Sequence, residues 1–117
     1  MTARESTETK AIMDHHLQAF MARDVEEILA DYDSASVMFT QQGPVTGIEA
    51  LRTAFAGALK DVFTEEVLKN FKMTRQDVVG DVGYIVWEVP GELPLGTDTF
   101  VIRNGKIAAQ TFTMHSS

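Results

Sequence analysis

The chain has 117 residues, of which 44% are hydrophobic and 23% charged, and its net charge is −7. That length supports one modest core, so a single domain over residues 1–117 is expected. The acidic balance argues against nucleic acid and anionic membranes as partners, since both select a basic surface. Lacking cysteine, the chain cannot form disulfides, thiolate metal sites or thiol nucleophiles. No apolar run approaches the roughly 20 residues of a membrane-spanning helix. The stretch from Met1 to Ser6 lacks an apolar signal core, so a cytoplasmic location is expected. A small hydrophobic molecule and a second copy of the chain are the partners to expect.

Residues 3–22 read as a first helix. Thr2-Ala3-Arg4-Glu5 fits a capping box, and Ile12, His15, His16, Ala19 and Phe20 recur with helical spacing. Asp24 can cap a short second helix with Glu27 at its third position, and Ile28, Leu29 and Tyr32 supply a buried side. Ser34 to Thr40 reads as a strand, broken by Gln42-Gly43-Pro44. A third helix is expected after Thr46, again as a capping box with Glu49, with Ile48, Leu51, Phe55, Leu59 and Val62 on one stripe. Residues 60–69 read as either loop or helical extension.

From Asn70 the pattern becomes β. Phe71, Met73 and Arg75 alternate with polar neighbours up to a turn at Gly80-Asp81. Ile85, Trp87 and Val89 then mark an inward face, with the wetter Glu88 on the other. Pro90 to Gly96 reads as a long connection. The final hairpin turns at Asn104-Gly105, a pair that tolerates the positive φ such turns require. His115 is expected to fray. The order α-α-β-α-β-β-β-β predicts an α+β fold with helices packed on an antiparallel sheet.

Strand alternation puts Asp98 on the same face as Phe100 and Ile102, so a carboxyl group points into apolar surroundings or else sits in a solvated loop. Burial would raise its pKa. His16 is the other titratable candidate, because an imidazole suits acid–base work near neutral pH. Adjacent His15 cannot share its direction. An apolar pocket is expected from Phe20, Phe39, Phe55, Met73, Trp87, Phe100, Phe112 and Met114, punctuated by Gln110 and Asp98. Gln41 and Gln42 are candidate donors at its rim. No metal-ligand spacing, phosphate loop or nucleophile elbow occurs, so no metal or cofactor is expected.

Residues 20–32, Ala35-Ser36-Val37, 47–51 and 97–107, in this order and spacing, resemble the nuclear-transport-factor-2-like superfamily. That group includes SnoaL-like and ketosteroid-isomerase-like proteins. The resemblance implies a cone: a curved antiparallel sheet wrapped around the N-terminal helix, with two further helices. It aligns Asp98 with the isomerases' protonated aspartate and His16 with their oxyanion-hole tyrosine. The general base would fall at Phe39, which cannot take a proton. Two functions follow as expectations. One is a small-molecule-binding protein of unassigned activity. The other is a cofactor-independent isomerase, dehydratase or cyclase using His16 and Asp98 on a hydrophobic carbonyl compound. A homodimer is expected through outer sheet residues Tyr84, Val86 and Val101, with Ile107 as a further candidate.

Overall fold

Local chemistry sets most element boundaries in the computed structural model, which describes residues 3–115. Helix α1 covers Ala3–Met21, and the expected cap at Thr2 lies outside the described residues. Asp24 caps α2 (Val25–Leu29) by accepting a hydrogen bond from the Glu27 backbone N–H at 3.1 Å. Strands β1 (Val37–Thr40) and β2 (Gly43–Thr46) form a hairpin before α3 (Ile48–Asp61) and α4 (Glu65–Leu68). Strands β3 (Lys72–Val79), β4 (Val82–Val89), β5 (Leu93–Arg103) and β6 (Lys106–His115) complete the sheet. At the last turn Asn104 and Gly105 both take positive φ, 52° and 74°.

Among the described residues the sheet is six-stranded, curved and unclosed, in the order β2-β1-β6-β5-β4-β3. Every pairing is antiparallel except that of β1 with β6. The helices cover one face, where Ile28, Leu51, Phe55, Phe63, Val89 and Ile107 are fully or nearly fully buried. None of the described helices is long and apolar enough to cross a membrane.

Several expectations need correction. Ser34 to Ser36 form a turn, not a strand, because Asp33 Oδ1 accepts from the Ala35 N–H at 2.9 Å. Gly43-Pro44 does not end the sheet. The chain folds back there, and proline is tolerated because β2 is an edge strand. Thr46 is that strand's last residue, paired with Val37. Gly47 therefore takes the cap position of α3, with φ 84° and no side-chain cap. Glu49 instead binds Arg52, which also reaches Glu26 at 2.9 Å and ties α3 to α2. The connection after β4 is only residues 90–92, since Leu93 already pairs with Val89. Thr64 caps α4 within the stretch the sequence left open. His115 is held in β6 opposite Leu95. Ile107 belongs to the core: a bulge between Val101 and Ile102 shifts the register and sets it against Ile102.

Ser36 joins the helical half to the sheet. Its buried hydroxyl donates to the Ile107 carbonyl at 2.6 Å and accepts from the Asp33 N–H at 2.9 Å. Ser36→Ala leaves the Ile107 carbonyl short of a partner in a dry site. The expected loss is about 1–3 kcal/mol of stability, read by urea denaturation.

Candidate functional site

The inner face of β5 carries Gly96, Asp98, Phe100 and Ile102, all buried. Asp98 pairs with Ile85 on one side and Phe112 on the other. Trp87 pairs with Gly96, and a Cβ there would lie 2.1 Å from the indole ring. The missing side chain lets the ring lie across β5, so that Trp87 Nε1 donates to Asp98 Oδ1 at 2.8 Å. Gln110, diagonal to Asp98 on β6, donates from Nε2 to Asp98 Oδ2 at 2.8 Å. Tyr32, just after α2, donates to Gln110 Oε1. The same phenol oxygen lies 3.3 Å from Nδ1 of His16 on α1. Trp87, Asp98, Gln110, Tyr32 and His16 thus form one buried polar chain through the aromatic core.

This chain borders a cavity between α1, α3 and the sheet. Counted as the space the centre of a water molecule can occupy, its volume is about 50 Å³. His16, Phe20, Phe55, Trp87, Asp98, Gln110 and Phe112, each a candidate from the sequence, line it. Leu17, Met38, Ala58, Phe63 and Phe71 also line it and were not foreseen. Met38 carried a readable signal: it alternates with Phe39, and only one of the two can face inward. Phe63 follows the end of α3 in a stretch without clear periodicity.

Four expected pocket residues lie elsewhere. Phe39 points outward and is 50% exposed, because its pairing with Thr111 puts it on the outer face. Met73 pairs with Trp87 but is 37% exposed at the start of the edge strand β3, and after the bulge that follows it the inward set is Gln76 and Val78. Phe100 is buried behind the wall, its ring 5.3 Å from that of His16. Met114 packs beside the core opposite Gly96, beyond the cavity. Gln41 is not at the rim; its Oε1 accepts from the Met114 N–H at 3.2 Å.

Solved structures with this architecture include an NTF2-like protein of unknown function from Mesorhizobium loti. It superposes with a TM-score of 0.79 at 16% identity, covering 98% of this chain and 97% of that one. The chain has the nuclear-transport-factor-2-like fold. A SnoaL-like protein of unknown function from Burkholderia thailandensis matches with a TM-score of 0.70 at 15% identity, over 95% of each chain. A de novo designed protein with a curved β-sheet matches equally well, with a TM-score of 0.77 at 15% identity, over 98% of this chain and 88% of that one. No family model matches the sequence, and no curated protein does. The NTF2-like fold therefore fixes the architecture, and chemistry must be argued from the cavity.

Measured against the isomerase pattern expected from the sequence, the position of the general base holds no group that can take a proton. Phe39 faces out, Met38 faces in, and neither accepts a proton. Asp98 and His16 do not touch; Gln110 and Tyr32 stand between them. His15 turns away to Asp31 at 2.6 Å and Glu27 at 2.7 Å, which raises its pKa.

Burial moves the two site groups in opposite directions. It pushes Asp98 up from 3.8 to about 6, although the bonds from Trp87 and Gln110 favour the ionised form. It pushes His16 down from 6.5 to about 4, with nearby His15 adding to the effect. Neither is the ion-paired arrangement in which the histidine would rise and the aspartate fall.

Between pH 4 and 6 the folded protein holds a proton on Asp98 that the unfolded chain has lost, so this group's contribution falls as pH rises. Over the same window the unfolded chain holds a proton on His16 that the fold excludes, so that contribution rises with pH. Each is worth up to about 3 kcal/mol, and they nearly cancel. Asp98→Asn removes one of them. Relative to the wild type, the variant should gain up to about 3 kcal/mol as pH is raised from 4 to 6.5, measured by denaturation at each pH.

Proposed function

We propose that this protein binds a small, uncharged hydrophobic molecule in the cavity, and that it does so as a homodimer. The observation that carries the reading is the composition of the wall: aromatic and aliphatic side chains, with polar atoms confined to one internally bonded chain. Such a wall gains from excluding water around an apolar ligand, while a charged ligand would lose its hydration without a counter-charge. The acid–base reading is the weaker one. A histidine held near 4 is a poor proton acceptor at neutral pH, and the position of the general base holds no such group.

The dimer reading rests on the outer sheet face. Phe39, Thr111, Thr99 and Tyr84 form one cross-strand row there, flanked by exposed Val79, Val82 and Leu95. A second copy of the same face would cover it.

Two measurements test these claims. Cyclopentanol should quench or shift the fluorescence of Trp87, the single tryptophan, and at ten times its Kd raise stability by about 1.4 kcal/mol. Cyclopentanecarboxylate should do neither, and a response to the carboxylate alone would overturn the reading. The wild type should sediment as a dimer at micromolar concentration, and Tyr84→Glu as a folded monomer.

A further inference from the structure

Donors and acceptors along the buried chain fix one another. When Asp98 is ionised it accepts from Trp87 Nε1 and from Gln110 Nε2. The Gln110 amide then turns its oxygen towards Tyr32, whose one hydroxyl proton is committed to it. Tyr32 Oη can therefore only accept from His16 Nδ1, and the imidazole proton lies on that nitrogen. His16 Nε2 makes no hydrogen bond among the described residues. Among the described residues no buried side-chain nitrogen or oxygen is left unpartnered, so Nε2 opens to the cavity as a bare lone pair.

One added proton reverses the order. A carboxylic acid at Asp98 donates to Gln110 Oε1 once the amide has turned over. The amide nitrogen donates to Tyr32, and the phenol donates to His16 Nδ1. The imidazole proton moves to Nε2 by exchange with cavity water. The proton count rises by one, at Asp98, and every link between Asp98 and His16 Nδ1 is kept in both orders, while Nε2 faces the cavity in each. His16 now offers the cavity a donor.

Other charges act on this chain from few directions. Asp31 acts on Tyr32 from the segment after α2, and His15 acts on His16 from their shared helix while bound to Asp31 and Glu27 outside the cavity. Helix α3 presents Phe55 to the imidazole, while β5 presents Phe100, the neighbour of Asp98 on that face.

We propose that this relay selects the ligand: with Asp98 ionised the cavity takes an uncharged alcohol whose hydroxyl donates to His16 Nε2, and with Asp98 protonated the same site takes a carbonyl compound. The size follows from the cavity, which on this measure holds about four waters and so suits a ligand of roughly four to six heavy atoms. This inference rests on the binding reading above.

Imidazole nitrogen NMR reads the switch without any ligand. At pH 8, His16 of the wild type should show a protonated Nδ1; at pH 5 it should show a protonated Nε2. Asp98→Asn should show protonated Nε2 at both, since its amide donates where the acid would. One unchanging tautomer in the wild type at pH 8 and pH 5 overturns the relay, even where the variant fails to fold. Cyclopentanol and cyclopentanone, titrated against amide shifts, then test the ligand class. At pH 8 the wild type should bind the alcohol about tenfold more tightly, and in Asp98→Asn that preference should vanish. Equal wild-type affinities overturn the relay and spare the binding reading. No response to either probe, in either protein, overturns the binding reading and the ligand class together.

Discussion

Two donors reach the carboxyl of Asp98, and its surroundings offer little else that can compensate for lost water. The fold near the cavity is organised around keeping those donors in place. Trp87 can reach only because Gly96 leaves room for its ring, which Phe71 and Phe112 then stack from either side. Gln110 is turned towards the carboxyl because Tyr32 holds its oxygen, and Tyr32 is held at the end of a short helix that begins at the Asp24 cap. Remove any one partner and a dry polar atom is left exposed to its own desolvation cost.

The exterior follows different rules. Ion pairs such as Arg52 with Glu26 and Lys10 with Asp14 are solvated, and each is worth little individually. The first ties α3 to α2 and the second lies within α1, and none of these residues lines the cavity. His15 and His16 divide between these two regimes, although they are neighbours in sequence. One faces carboxylates in water and gains proton affinity; the other faces rings and loses it.

Much of this was legible in the sequence where a local rule acts alone. The Asp24 cap, the Asn104-Gly105 turn, the inward set Ile85, Trp87 and Val89, and the direction of Asp98 all follow from spacing that no distant residue disturbs. The failures share a cause. Phe39 and Met73 were placed inside by hydrophobicity, but the pairing of Phe39 with Thr111 decides its face and the sheet edge leaves Met73 uncovered, and both depend on partners far along the chain. Likewise, Gly43-Pro44 looks like a break until the sheet edge makes proline acceptable. His16 and Asp98 were candidate partners in acid–base chemistry, with their meeting left open. Tyr32 had been read only as a buried flank, and nothing local shows that it and Gln110 would stand between them.

The pairing of β1 with β6 has a consequence for how the molecule comes into being. Ser36 meets Ile107 and Tyr32 meets Gln110 at sequence separations of 71 and 78, so these contacts must wait for nearly the whole chain. During synthesis the helices emerge first, with His16, Phe20 and Phe55 still wet. Only when β6 is threaded between β1 and β5 does the interior become dry and the histidine lose its affinity for a proton. Long-range closure of this kind is slow relative to helix formation. The cavity therefore acquires its chemistry only once β6 is in place, and a chain released before β6 would lack the electrostatics of this site.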